Sequence, residues 1–94
     1  MEKYVKNPLV VEAHQLTMDN LKESIDMLVA DGYEAKTYSK PPMRAVSGLI
    51  MKTTNGDIIV NFGEYLMKGI QGEYYPCPAD VFDKTYNKVL PSNE

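Results

Sequence analysis

Phe62-Gly63-Glu64-Tyr65-Leu66-Met67-Lys68-Gly69, then Gly72-Glu73-Tyr74-Tyr75-Pro76-Cys77, then Asp80-Val81-Phe82-Asp83-Lys84-Thr85-Tyr86 is the stretch that decides the fold. Gly63 reads as a turn, Tyr65 to Gly69 as a strand, and Ile70-Gln71-Gly72-Glu73 as a second turn. Tyr74 to Cys77 is the next strand. Pro78 suits the first turn of a helix, and Asp80 places negative charge where the helix dipole favours it. Val81, Phe82, Thr85, Tyr86 and Val89 recur at helical spacing as an inward stripe, and Pro91 ends the pattern.

Upstream, Asn55-Gly56 separates Leu49-Ile50-Met51 from Ile58-Ile59-Val60. That dipeptide predicts a type I′ hairpin, with positive φ at both central residues. Arg44 to Thr54 reads as the strand before it, interrupted at Gly48 by a bulge. Ser39-Lys40-Pro41-Pro42 is a loop, because two prolines remove two backbone donors. Tyr33 to Tyr38 is a short strand. Asn20 and Glu23 fit a capping box ahead of a helix whose stripe is Leu21, Ile25, Leu28 and Val29. Gly32 is placed to stop that helix in the left-handed conformation. Pro8 opens a first strand through Leu16, whose cleaner face is Leu9, Val11, Ala13 and Gln15; that face is expected to be buried. The element order is β-α-β-β-β-β-β-α. It predicts a single α+β domain over residues 1–94, with a small, mainly antiparallel sheet of about five to six strands and two helices at one face or end.

Composition bounds the function. Ninety-four residues make one domain with one small core. A net charge of -3 has the wrong sign for a general binder of nucleic-acid polymers. The apolar runs are too short to span a bilayer, and Met1-Glu2-Lys3-Tyr4 lacks the apolar core of a secretory signal. One cysteine, Cys77, allows no internal disulfide and fits a reducing compartment, so a cytoplasmic protein is expected.

No catalytic set stands out. Cys77 precedes a helix, which can activate a thiol, but Asp80 opposes this and a buried structural cysteine is the simpler reading. His14 is the chain's one histidine and makes no metal set with one cysteine. Asp80 and Asp83 share a helix face and read as solvated. Neither enzyme chemistry nor a cofactor is expected.

The segment from Lys36 to Lys52 is different. It contains Lys36, Lys40, Arg44 and Lys52, no acid, and Tyr38 among them. Cations beside an aromatic ring supply what a nucleotide needs: charge for phosphates and a flat face for the base. Lys68, with the aromatic block of Tyr65, Tyr74 and Tyr75, extends the set if the sheet brings it near. The plain alternative is a basic surface loop. The candidate ligand-binding residues are therefore Lys36, Tyr38, Lys40, Arg44, Tyr65 and Lys68, with Lys40 and Arg44 on phosphates and Tyr38 or Tyr65 on the base. Seven tyrosines also point to an interface, and association of the chain with itself is expected.

The quoted block resembles a family of small bacteriophage and prophage proteins. Their marks are a Pro-Gly-Asp-Tyr-like turn, a Gly-Glu-Phe/Tyr-Tyr-Pro-Cys strand and an Asp-hydrophobic-Phe-acidic-Lys-Thr-Tyr helix. Tyr4 to Gln15 is similar to that family's basic lead, proline and Val-Val-Glu-Ala run. The turn departs as Phe62-Gly63-Glu64-Tyr65, the first strand ends Gln15-Leu16 in place of Gln-Trp, and Cys77-Pro78-Ala79-Asp80 replaces Cys-Lys-Pro-Asp. Residues 32–48 match nothing in the family's pattern. The resemblance implies a phage-encoded, non-catalytic protein acting in the bacterial host cytoplasm. Two counter-defence roles suit it: sequestering a nucleotide immune signal, such as an ADP-ribose derivative or cyclic nucleotide, or covering a host nuclease or CRISPR effector. A structural or assembly accessory of the virion is a third.

Overall fold

The computed structural model describes residues 1–3 and 11–86. Its elements are β1 (Glu12–Gln15), α1 (Leu21–Ala30), β2 (Glu34–Tyr38), β3 (Gly48–Thr53), β4 (Gly56–Asn61), β5 (Tyr65–Lys68), β6 (Tyr74–Cys77) and α2 (Ala79–Thr85). The fold is α+β and follows the element order read from the sequence. The strands, however, divide between two antiparallel sheets of three, ordered β1-β5-β6 and β2-β3-β4. The chain crosses from one sheet to the other at the turn between β4 and β5. No helix among the described residues is long and apolar enough to cross a membrane.

The core lies where α1 and one face of each sheet meet. Leu16, Leu28, Leu49, Met51, Val60, Leu66 and Tyr74 form it, with Leu21, Ile25 and Phe62 packed against it. Fully burying each of these aliphatic side chains contributes roughly 2 kcal/mol. The opposite face of β5 and β6 carries Tyr65, Met67, Tyr75 and Cys77, as the pairing register requires. There Phe82 of α2 stacks on Tyr65, with ring centroids 3.8 Å apart, and Tyr86 stacks on Phe82 at 5.1 Å. Sheet β1-β5-β6 is thus packed on both faces.

Helix α1 ends as its glycine predicts. Gly32 takes φ 97°. Its N–H donates to Val29 O at 3.0 Å, and the Tyr33 N–H donates to Leu28 O at 3.0 Å. These paired bonds are the Schellman arrangement. The start of the helix corrects the expected capping box. Asn20 is the N-cap but makes no side-chain bond to the helix. Its Oδ1 accepts from Thr17 N at 2.8 Å, and its Nδ2 donates to Gln15 O at 2.8 Å. The preceding turn has taken the groups a box would need. The stripe also shifts: Val29 is 53% exposed and Ser24 is 2% exposed.

Four further expectations are corrected. At β1 the expected face is not the buried one: Ala13 and Gln15 are exposed and Val11 is half-buried, while on the other face Glu12 is exposed, His14 is half-buried and Leu16 is buried. Leu16 anchors in the core, and strand parity carries His14 inward with it. In the β3–β4 hairpin, Gly56 alone takes positive φ; Thr54 and Asn55 do not. The turn centres on Thr54-Asn55 because the register pairs Thr53 with Gly56, and β-branched Thr54 resists the left-handed region. β3 begins at Gly48, in register with Tyr38 and Asn61, and does not reach back to Arg44; the irregularity expected at Gly48 lies just before it, where the Ser47 N–H donates to Tyr38 O while Ser47 O accepts from the Phe62 N–H. In α2, Pro78 is the N-cap with φ −58° and ψ 145°, Val81 is 47% exposed and Thr85 is exposed. The expectations for Pro8, Leu9, Val89 and Pro91 lie outside the described residues.

Gly48 carries a steric requirement. A Cβ there would stand 2.0 Å from Val60 O and 2.8 Å from the Asn61 Cα. Backbone atoms cannot yield as a side-chain tip does, so β3 and β4 must part. Gly48→Ala is expected to destabilise the protein by about 3 kcal/mol, read as a lower urea midpoint at unchanged slope.

Candidate functional site

The face of β2-β3-β4 turned away from the core has no α1 or α2 packed on it, and pairing fixes its side chains in three rows. Tyr38, Gly48 and Asn61 make one; Lys36, Ile50 and Ile59 the next; Glu34, Lys52 and Asp57 the third. Alternate residues of the same strands, Ala35, Leu49, Met51, Ile58 and Val60, turn to the core. Period-two alternation thus brings Lys36, Tyr38 and Lys52 of the basic segment onto one surface. Lys36 and Lys52 are diagonal neighbours, close enough to act on one group. Together with Glu34 and Ile50 they border a shallow depression of about 120 Å³.

Neither lysine forms an ion pair among the described residues; the one pair there is Lys68 Nζ with Asp31 Oδ2 at 3.8 Å. Lys40 and Arg44 are exposed on the loop that leaves β2. That loop is tied down by its serines. The Ser47 N–H donates to Tyr38 O at 2.8 Å, the Lys40 N–H to Ser47 Oγ at 3.0 Å, and Ser39 Oγ to Arg44 O at 3.4 Å. Lys40 and Arg44 therefore stay beside the end of the basic face.

Tyr65 and Lys68 do not join it. Both belong to β5 in the other sheet, on opposite faces, because they stand three residues apart. Tyr65 is stacked on Phe82. Lys68 pairs with Asp31 and lies 5.6 Å from the Tyr74 ring centroid. Tyr74 donates its hydroxyl to Asp31 and meets Tyr33 edge-on at 5.7 Å. Burial first, and the Asp31 carboxylate second, push the Tyr74 phenol up to about 12. Burial, with the neighbouring Tyr86, also raises Tyr75. These groups hold the sheet to the end of α1.

A larger cleft, of about 770 Å³, opens beside the β3–β4 turn. Tyr33, Tyr74, Glu34, Lys52, Asp57 and Glu73 help line it, and none of the six expected site residues does. What the sequence reading missed on the basic face is Ile50 and Ile59. The alternation within Gly48–Thr53 and Gly56–Asn61 was the signal that places them beside Lys36.

The remaining reactive side chains are structurally engaged. Cys77 is buried, its thiol 3.6 Å from Pro78 O. No three His, Cys, Asp or Glu converge as a metal site among the described residues. Comparison of the chain with protein-family models, with curated proteins and with solved structures finds no match.

His14 has a defined role in the fold. Its Nε2 lies 2.8 Å from Ser24 Oγ, and Ser24 Oγ lies 2.8 Å from Asn20 O. The single hydroxyl proton goes to the carbonyl, so His14 donates from Nε2 to the hydroxyl oxygen. Burial lowers its pKa below 6.5. The unfolded chain therefore binds a proton first as pH falls. The stabilising contribution is complete above pH 6.5 and is lost as pH drops toward the folded-state pKa. Melting temperature is expected to fall between pH 7 and 5, with a shallower fall in His14→Gln.

Proposed function

We propose that the protein is a non-catalytic binding module that seats a phosphate-bearing, nucleotide-type ligand on the outer face of β2-β3-β4. One observation carries this reading: Lys36 and Lys52 lie side by side around an Ile50-floored depression, free of ion pairs among the described residues, with Tyr38 on the same face. Ammonium groups with no carboxylate partner can take phosphate oxygens by charge-assisted hydrogen bonds. Tyr38 and the flat row of Ile50 and Ile59 supply a surface on which a base can lie. Lys40 and Arg44 add positive charge at the end of the face. Glu34 and Asp57 flank Lys52, which favours a compact phosphate near Lys36 over an extended polyanion.

In the setting that the sequence resemblance implies, the role is sequestration of a host immune nucleotide by a phage-encoded protein. Holding a signal away from its effector needs affinity alone. Submicromolar binding corresponds to about −8 kcal/mol or better.

Isothermal titration calorimetry with ADP-ribose derivatives and cyclic nucleotides tests the proposal. At least one is expected to bind, and Lys36→Glu with Lys52→Glu to weaken it at least tenfold at an unchanged fold. A panel in which nothing binds, or binding indifferent to both lysines, removes this reading.

A further inference from the structure

We infer that the open edge of β2 is the interface for a second copy of this chain, joined antiparallel about a two-fold axis at Thr37. This inference stands on the edge itself and holds with or without a nucleotide ligand.

Among the described residues, sheet order β2-β3-β4 leaves β2 paired on one side only. The backbone direction along it follows from the neighbouring ladder. The Phe62 N–H donates to Ser47 O at 2.8 Å, one step beyond the Gly48–Asn61 pair. Continued at period two, this bond turns the main-chain groups of Leu49 and Met51 toward β4 and those of Gly48, Ile50 and Lys52 toward β2. Glu34, Lys36 and Tyr38 then bond inward to β3. The Lys40 N–H continues the pattern by donating inward to Ser47 Oγ at 3.0 Å. Ala35 and Thr37 are left with their N–H and C=O groups on an edge that no strand among the described residues pairs, and Ser39, one residue past β2, falls at the next position of the same parity. Such an edge is a template for another strand.

A second copy matches it in one register. With Thr37 opposite the partner's Thr37, Ala35 faces the partner's Ser39, and the outward groups of all three residues are satisfied. On the outer face, Lys36 then stands opposite the partner's Tyr38, and Glu34 opposite the partner's Lys40. Each of these pairings occurs twice about the axis. All are favourable cross-strand combinations, an ion pair and a cation–aromatic pair.

The neighbouring registers are worse. Centring on Lys36 sets that ammonium against itself. Centring on Ala35 leaves Ser39 unpaired and requires the Tyr33 N–H, which is already bonded to Leu28 O. β1, one of the two outer strands of the other sheet, carries no lysine or arginine to complement Glu12. The dimer also accounts for Thr37, which is exposed although it sits on the core-facing side opposite buried Leu49. A partner strand along the edge covers it.

The test is a charge-swap cycle read by analytical ultracentrifugation across a concentration series. Wild type is expected to dimerise. Glu34→Lys and Lys40→Glu each oppose like charges across the axis and are expected to weaken the dimer about tenfold or more. The double variant restores opposite charges and is expected to recover most of the affinity. Within one chain these two residues are about 20 Å apart along the strand, so recovery cannot arise inside a monomer. Thr37→Pro removes an outward N–H while sparing the β2–β3 ladder, and is expected to give a folded monomer by circular dichroism. A monomeric wild type overturns the inference. So does a dimer that ignores Thr37→Pro, or a double variant that is no tighter than the single ones.

Discussion

The structure depends on how Leu16 is held. Its side chain is fully buried at the centre of the core. Its N–H donates to Glu64 O and its C=O accepts from the Gly63 N–H, both at 2.8 Å. The end of β1 is thereby locked to the turn at which the chain leaves one sheet for the other. That turn is itself braced. Glu64 Oε1 accepts from Asn61 N at 2.8 Å, and Gly63 supplies the positive φ of 92° that the corner demands. Gln15, facing outward, adds a bond from Nε2 to Gly63 O at 2.9 Å. A main-chain exchange at a buried position is costly to leave unmade. It therefore fixes the register of β1 on β5 and, through parity, every face of the first sheet.

Much of this was readable from the residues because the signals were local. The stop at Gly32 needed only a glycine after a helical stripe. The hairpin's position between Leu49-Ile50-Met51 and Ile58-Ile59-Val60 needed only a turn between two apolar runs. The failures share a cause: a side chain committed to something distant or competing. Asn20 was free for a capping box in sequence terms, but Thr17 and the Gln15 carbonyl claim it. The face of β1 looked settled by Val11 and Ala13, yet one deeply anchored Leu16 outweighed them and Ser24 made an inward His14 tolerable. The turn at Phe62-Gly63 has hairpin chemistry and acts as a corner between sheets, which depends on Leu16, forty-odd positions away in the chain.

The candidate site divides along the same line. Lys36, Tyr38 and Lys52 share a face by strand alternation, and that much follows from a period of two. Whether Tyr65 and Lys68 could join them depended on which sheet took β5. Once β5 pairs with β1 and β6, Tyr65 belongs to the aromatic stack under α2 and Lys68 to the Asp31–Tyr74 group. Residues that look alike in composition, a tyrosine and a lysine beside glycines, are spent on cohesion in one sheet and left available in the other.

The two sheets are unequal in a way that bears on function. The first has the core on one face and the Phe82–Tyr86 stack against Tyr65 on the other. The second, among the described residues, has the core on one face alone. Its outer face keeps Ile50 and Ile59 in the middle row, bounded by a charged row and by the polar row of Tyr38 and Asn61. Charges flanking an apolar strip keep an uncovered sheet from associating indiscriminately. They also leave it selective, since whatever lies on the strip must satisfy the lysines at its border. An interaction surface is thus most economically sought on the sheet that the fold does not consume, and the same strand that borders this face, β2, also carries its bare edge.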